Sequence, residues 1–285
     1  MGKFDKMLLI SDYDNTFRYT EVSLRSGGEM PPIHPGNLEA VRYWMEQGGT
    51  FAMATGRSLA AFRVPAESIP MNAPAIVDNG AAIYDLQAEK YLVKSFLPDA
   101  SLEHLRAVTL EFPELSLELY HEGDLIQVVH QTPWNEQHAK LTKLNYQVIA
   151  SVEPQLVPLP LVKALFVGNM DLLLCLCRFM EANGWAAQYE LIFSSDHLLE
   201  MTAKGADKGQ MALKLKELCG CGRLFCAGDH ANDLPMLRVA DQAFVPANAI
   251  PEVLVSGATV VCHCLEGAIA EAVRILDASA EAPGF

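Results

Sequence analysis

Two aspartates separated by one residue, Asp12 and Asp14, follow an apolar run at residues 7–10. An unbroken apolar run of this kind is typical of a strand that is buried on both faces. Side chains alternate along a strand, so the two carboxylates point the same way and Tyr13 points aside. Two carboxylates held this close repel each other unless they share a proton or bind a cation. The spacing therefore predicts either a proton-sharing pair or a metal site.

Polar residues also follow three other apolar runs, at Thr55, at Asn79, and at Asp229, Asn232 and Asp233. A single aspartate of this kind is most simply a capping or turn residue. The whole set is better explained by one site, because independent caps need not all fall at strand ends. Carboxylate, amide and carbonyl oxygens are the ligands that Mg²⁺ prefers. The predicted metal ligands are Asp12, Asp14, Asp229 and Asp233, which favours a bound metal over a shared proton.

Lys208 is predicted to begin a helix, where the helix dipole disfavours a cation by about 0.3–1 kcal/mol. Its position makes sense if an anion, such as a phosphate, lies between the amine and the helix end. The alternative is a solvated surface lysine. Thr55 has two readings as well: it is the N-cap of a helix, or its hydroxyl and the following amides hold phosphoryl oxygens.

The elements that position these residues alternate between strand and helix. A helix from Pro35 to about residue 47 joins the strands at 7–10 and 50–54, which predicts a right-handed crossover between parallel strands. Ligands bind at the carboxyl-terminal edge of such sheets. Residues 85–195 instead show helices and a hairpin, which indicates an inserted α+β module. The predicted fold is α/β, with a Rossmann-like parallel-sheet core at 1–84 and 196–285 and the inserted module as a cap.

These motifs resemble those of the haloacid dehalogenase-like phosphohydrolases. The resemblance rests on residues 12–16, 55–57, 208–209 and 228–233, in that order. Residues 79–81, the surroundings of Lys208 and residues 246–249 are similar to the Cof-type subgroup, which has a type IIB cap. Tyr13 and Asn15 depart from the usual first motif, but Asn15 tolerates a left-handed backbone, so the turn can survive.

The resemblance implies a cytoplasmic, Mg²⁺-dependent phosphatase that acts on a small phosphorylated metabolite, such as a sugar phosphate. Asp12 would be the nucleophile, and Asp14 would be the general acid/base and offer its backbone carbonyl to the metal. The implied phosphate-binding residues are Thr55, Gly56, Lys208 and Asn232. The implied substrate contacts are Asn79 and Arg57, with His121, Glu122, Asp124, Ser194 and Ser195 from the cap.

Composition limits the other possibilities. With 285 residues and a formal net charge of −14, the chain is not expected to bind nucleic acid or an anionic membrane surface. No apolar window is long enough for a transmembrane span, and the seven cysteines are expected to be reduced.

Four functions remain as hypotheses. Besides a phosphatase, the motifs allow a phosphomutase or phosphotransferase with the same aspartyl-phosphate, and a catalytically silent binding or regulatory protein on this fold. Asp-x-Asp also marks the Mn²⁺ site of nucleotide-sugar glycosyltransferases, but Lys208 and the cluster at 228–233 argue against that class.

Overall fold

The computed structural model describes residues 2–21, 29–123 and 125–280, and it contains three sheets. The strands, in chain order, are β1 (Met7–Ser11), β2 (Thr50–Met53), β3 (Ala75–Val77), β4 (Ala82–Asp85), β5 (Lys90–Lys94), β6 (Ser116–His121), β7 (Ile126–Val129), β8 (Gln147–Val148), β9 (Leu161–Val167), β10 (Tyr189–Ser195), β11 (Leu198–Ala203), β12 (Arg223–Ala227), β13 (Gln242–Pro246) and β14 (Thr259–Val261).

Nine α-helices lie in the same described ranges. They are α1 (Pro35–Glu46), α2 (Leu59–Ala66), α3 (Ser101–Glu111), α4 (Pro133–Thr142), α5 (Met170–Ala182), α6 (Lys208–Leu218), α7 (Leu234–Val239), α8 (Pro251–Leu254) and α9 (Ala268–Ala280). None of these helices has the length and apolar character needed to cross a membrane.

The core is a five-stranded parallel sheet in the order β14-β13-β12-β1-β2. Both of its faces are covered, as the unbroken apolar runs predicted. Leu9 of β1 packs on the side of α1 and α9, while Leu8 and Ile10 pack on the side of α6 and α7. The predicted α/β fold with a parallel-sheet core is confirmed.

A small antiparallel sheet, β3-β4-β5, continues from the core. A single parallel bridge between Ala54 and Ile76 connects the end of β2 to β3. The residues that follow β3, Asp78 and Asn79, have positive φ angles of 54° and 57°, and Gly80 has a φ of 96°. A Cβ on Gly80 would lie 2.3 Å from the carbonyl carbon of Asp207, so glycine lets this turn approach the start of α6.

The inserted segment forms a six-stranded sheet in the order β10-β11-β9-β6-β7-β8. It has its own apolar core with α3 and α5, which contains Leu105, Phe166 and Leu176. The predicted hairpin is present, since β6 and β7 pair antiparallel. β11 lies beyond the predicted boundary at residue 195, yet it pairs with β10 and β9. By this pairing we assign residues up to Ala203 to the inserted module.

Candidate active site

The candidate site lies at the carboxyl-terminal edge of the parallel sheet. The amide of Asp12 donates a hydrogen bond to the carbonyl of Ala227 at 2.9 Å, and the amide of Ala54 donates to the carbonyl of Ser11 at the same distance. The ends of β1, β2 and β12 are therefore adjacent. The polar residues that follow these strands meet at one edge because the strands are parallel.

Three carboxylates and one ammonium form the centre of the site. Lys208 donates from Nζ to Oδ1 of Asp12 at 2.6 Å and to Oδ1 of Asp233 at 2.7 Å. Asp229 joins them, since one carboxylate oxygen from each of the three aspartates lies within 4.8 Å of the other two. All four side chains are buried. The prediction of a solvated surface lysine is thus wrong for Lys208, because α6 aims its first side chain into the sheet edge.

The charges of this cluster do not balance. Three ionised carboxylates and one ammonium leave two negative charges in a buried place. Burial raises the pKa of Asp12 and exceeds the lowering by Lys208, while Asp233 and Asp14 raise this pKa further. Burial and then the charges of Asp12 and Asp233 also raise the pKa of Asp229 well above its ordinary value. The site therefore suits a divalent cation bound by hard oxygen ligands.

The oxygens of this cluster are not equally available. Oδ2 of Asp233 accepts hydrogen bonds from the amides of Asp229 and His230 at 2.9 and 3.0 Å, and its Oδ1 accepts from Lys208. Asp233 is thus held mainly by protein donors. Oδ1 of Asp229 accepts from the Thr16 hydroxyl at 2.7 Å, and Oδ1 of Asp12 accepts only from Lys208 among the described residues.

Asp14 lies outside the carboxylate cluster and is bound to Arg57. The guanidinium donates two hydrogen bonds, Nε to Oδ2 at 2.9 Å and Nη2 to Oδ1 at 2.7 Å. Burial alone would raise the pKa of Asp14, but the charge and hydrogen bonds of Arg57 outweigh burial and lower it. Arg57 also lies over the ring of Tyr13, 5.0 Å from its centroid, and Asn15 has the expected left-handed backbone with a φ of 58°.

The next group of polar residues surrounds Gly56. A Cβ on Gly56 would lie 3.7 Å from Nδ2 of Asn232, 3.8 Å from Oε1 of Glu200 and 3.9 Å from Oδ1 of Asn79. Asn232 donates to Oδ1 of Asn79 at 3.0 Å, whereas Nδ2 of Asn79 is buried without a partner among the described residues. Predicted phosphate and substrate residues from three separate segments are thus brought together here.

Thr55 is not the N-cap of the following helix. Ser58 caps α2 by accepting from the amide of Ala61, and α2 begins at Leu59. Thr55 is fully buried, and its Oγ1 accepts from the amide of Arg57 at 3.1 Å. Since the oxygen is used as an acceptor, the hydroxyl proton remains available to donate to a ligand.

The cap residues named from the sequence have varied surroundings. His121 is bound through both ring nitrogens to Pro158 and Gln127, and Glu122 forms an exposed ion pair with Lys94. These contacts occupy both side chains inside the inserted module. Ser194 donates to Oε1 of Glu200 at 3.1 Å, whereas Ser195 accepts from the amide of His197. Of these three contacts, only that of Ser194 leads to the Gly56 group, and Asp124 lies outside the described residues.

Two buried charged residues at the site were not among the sequence candidates. Lys163 on β9 and Glu200 on β11 are 2% and 4% exposed, and they form an ion pair at 3.0 Å. A signal was present, because each is a single charged residue within an otherwise apolar strand run. Without the pairing of β9 with β11, nothing connects them to residues 55–57.

The sequence matches a family model described as haloacid dehalogenase-like hydrolase over residues 9–273. It is similar to the HMP-PP phosphatase of Cronobacter sakazakii, with 27% identity over 79% of this chain and 82% of that protein. It is also similar to the 5-amino-6-(5-phospho-D-ribitylamino)uracil phosphatase YwtE of Bacillus subtilis, with 23% identity over 77% of this chain and 83% of that protein.

The fold is shared with a solved structure, the HAD subclass IIB sugar phosphatase BT4131. The TM-score is 0.79 at 18% sequence identity, and the match covers 95% of this chain and 99% of the other. The similarity therefore includes the inserted module as well as the parallel-sheet core.

Proposed function

This chain belongs to the haloacid dehalogenase-like hydrolase family, and from that premise we propose that it is a Mg²⁺-dependent phosphatase of small phosphate monoesters that acts through an aspartyl-phosphate on Asp12. The predicted enzyme class, a phosphoric monoester hydrolase, is confirmed by the family match and the phosphatase relatives. The metal, the intermediate and the residue roles are the proposal.

One observation carries the proposal: Lys208 bridges Asp12 and Asp233 in a buried cluster that also contains Asp229. A phosphate monoester is an anion, and the chain as a whole is strongly negative. Local positive charge is therefore needed to bind it. Lys208 supplies one such charge, and a divalent cation on the carboxylates would supply the rest.

Asp12, Asp229 and the backbone carbonyl of Asp14 would hold Mg²⁺, with Asp233 binding it directly or through water. When bound, Mg²⁺ neutralises negative charge on the carboxylates and on the phosphoryl oxygens. The remaining steps are performed by the side chains of this chain.

In the first step, a carboxylate oxygen of Asp12 attacks phosphorus, and the bond from phosphorus to the leaving oxygen breaks. Asp14 gives its proton to that oxygen, which leaves as an alcohol. In the second step, Asp14 takes a proton from water as the water oxygen attacks phosphorus, and the Asp12 ester bond breaks to release phosphate. Thr55 and Lys208 would donate to the phosphoryl oxygens throughout.

Asp14 must be protonated for the first step, yet its bonds to Arg57 favour the ionised form. Substrate binding must therefore weaken this ion pair. A phosphate anion competes well for the guanidinium, since both oxyanions accept the same paired N–H donors.

The substrate class proposed is a small phosphorylated metabolite, such as a sugar phosphate. The similar proteins support this class, because their names specify phosphatases of small molecules, HMP-PP and a phospho-ribitylaminouracil. Screening a panel of phosphorylated metabolites for phosphate release would identify the substrate within this class.

The test of the mechanism is the Asp12→Asn variant with p-nitrophenyl phosphate as substrate. We expect Mg²⁺-dependent hydrolysis by the wild type and a loss of about a thousandfold or more in kcat, since the amide is a poor nucleophile. The exposed Asp99→Asn variant is the control and should keep wild-type activity. Activity of Asp12→Asn within about tenfold of wild type, or activity that persists in excess EDTA, would overturn the mechanism.

The rival functions give different products in the same assay. Hydrolysis in ¹⁸O-labelled water places one labelled oxygen in each released phosphate. A phosphomutase or phosphotransferase instead passes the phosphoryl group to a second organic acceptor and leaves the label in water. A binding protein without turnover releases no phosphate from any substrate in the panel.

A further inference from the structure

Lys163 is a buried lysine that connects the inserted sheet to the active-site edge of the core. It lies on β9 and is 2% exposed. Its Nζ donates to Oε2 of Glu200 at 3.0 Å and to the carbonyl oxygen of Gly56 at 2.9 Å. The ammonium also lies 4.4 Å from the ring centroid of Tyr120. Gly56 belongs to the 55–57 loop, which consists of Thr55, Gly56 and Arg57.

An ordinary structural ion pair does not explain this arrangement. Lys163 and Glu200 lie on adjacent strands of the inserted sheet, so they would pair without any contact to the core. A buried ion pair is also a poor source of stability, because desolvation offsets most of the attraction. The hydrogen bond to Gly56 is the contact that leaves the sheet, and it ends on the loop that carries the predicted phosphate-binding residues.

The orientation of one peptide plane determines two active-site contacts. The Gly56 carbonyl and the Arg57 amide belong to the same planar unit. The Arg57 amide donates to Oγ1 of Thr55 at 3.1 Å, which directs the hydroxyl proton of Thr55 away from the loop. The side chain that follows this plane, that of Arg57, holds the carboxylate of Asp14.

Glu200 has a second contact near the same loop. Its Oε1 accepts from the Ser194 hydroxyl and lies 3.8 Å from the position of a Cβ on Gly56. Glu200 thus fixes Lys163 through one oxygen and is fixed by β10 through the other. The ammonium is therefore held at a defined position before it meets the Gly56 carbonyl.

We propose that Lys163, held by Glu200, is a positioning residue that orients the 55–57 loop for phosphoryl binding. The inserted module then acts on the phosphate site itself as well as covering it. This inference rests on the proposed function, because the loop matters only if a phosphoryl group binds there. Lys163 acts through Gly56 and makes no contact with the substrate.

The test compares Lys163→Met with wild type in p-nitrophenyl phosphate hydrolysis. Methionine fills similar buried space without a charge, so the fold is expected to survive. We expect kcat/KM to fall about thirtyfold or more, as for other small misplacements of catalytic groups. The inhibition constant of inorganic phosphate should rise as well, and Lys163→Arg should recover part of both losses.

Lys204→Met is the matched control. Lys204 forms a 3.0 Å ion pair with Glu190, on the same two strands of the inserted sheet, but it is mostly exposed. This variant also removes one ammonium and should keep kcat/KM within about twofold of wild type. Thermal melting of every variant separates a loss of folded protein from a loss of activity in the folded protein.

A Lys163→Met variant that melts near the wild-type temperature and keeps its kcat/KM would overturn the inference. If Lys163→Met does not fold, Lys163→Arg decides, since it keeps the charge but changes the donor geometry. A folded arginine variant with wild-type kcat/KM and phosphate inhibition would overturn the inference, and reduced values of both support it. Failure of the proposed function is seen separately, as a wild type that hydrolyses no phosphate ester.

Discussion

Asp12 and Asp14 lie two residues apart, and the fold gives them opposite proton affinities. Burial raises the pKa of Asp12, whereas Arg57 outweighs burial and lowers the pKa of Asp14. The proposed reaction needs the reverse, with Asp12 ionised and Asp14 protonated. A cation beside Asp12 and an anion that competes for Arg57 would change both in the required direction.

Asp78 is a buried carboxylic acid that faces Lys163 and Glu200. Burial raises its pKa to about 6, despite the opposing charge of Lys163, and the charge of Glu200 adds to the increase. A carboxyl group whose pKa is raised in the folded state binds its proton more tightly when folded. The stability of the protein should therefore fall as pH rises from about 4 to about 6.

Asp78→Asn is expected to remove this pH-dependent cost. Ionised Asp78 destabilises the fold by about 3 kcal/mol at most, and a neutral amide avoids this. Asparagine also tolerates the positive φ of 54° at this position. Urea unfolding should show the variant to be more stable than wild type near pH 8 and similar to it near pH 4. An equal difference at both pH values would contradict the argument.

At the scale of elements, the position of Lys208 depends on how closely α6 packs against α7. A Cβ on Gly209 would lie 2.5 Å from the carbonyl oxygen of Pro235 and 2.6 Å from its carbonyl carbon. Both atoms belong to the backbone, so a flexible side chain cannot move to make room. Glycine at residue 209 therefore lets the first turn of α6 deliver Lys208 to the carboxylates.

Gly209→Ala is expected to move the start of α6 and to lower both activity and stability. We expect a loss of about 1–3 kcal/mol in the free energy of unfolding, although alanine is the better helix former. The measurements are kcat for p-nitrophenyl phosphate and the melting temperature.

Gly222→Ala is the control for this prediction, because the nearest atom to its Cβ is 3.9 Å away. Its activity and melting temperature should stay close to those of wild type. If Gly209→Ala behaves like Gly222→Ala, the packing of α6 against α7 does not position Lys208.

At the scale of the whole molecule, the carboxylate cluster is a source of instability without a cation. Asp12, Asp229 and Asp233 converge from two distant segments of a chain whose formal net charge is −14. A ligand that binds only the folded state stabilises it, by about 2.7 kcal/mol at a concentration 100 times its Kd. Mg²⁺ should therefore raise the melting temperature.

The stabilisation by Mg²⁺ should depend on pH. The pKa values of Asp12 and Asp229 are raised in the folded protein, so protons compete with the cation at lower pH. Thermal melting should show a larger Mg²⁺ effect near pH 8 than near pH 6, and a much smaller effect for Asp229→Asn. An Mg²⁺ effect that is the same in Asp229→Asn would place the cation elsewhere.

The sequence by itself determined which strands are buried and which residues follow them. The apolar runs before Asp12, Thr55 and Asp229 predicted the parallel sheet, and parallel strands deliver their following residues to one edge. The proximity of Asp12, Lys208, Asp229 and Asp233 follows from that topology. These are local patterns combined with one general rule of sheet geometry, and they need no knowledge of side-chain packing.

Only the tertiary structure decided how the side chains pair. It joined Asp14 to Arg57, assigned the α2 cap to Ser58 instead of Thr55, and brought Lys163 and Glu200 to the Gly56 carbonyl. The register of β9 against β11 and the docking of their sheet on the core bring together residues about a hundred positions apart. No periodicity or spacing encodes such pairings, because they arise from the packing of two sheets whose strands are separate in the chain.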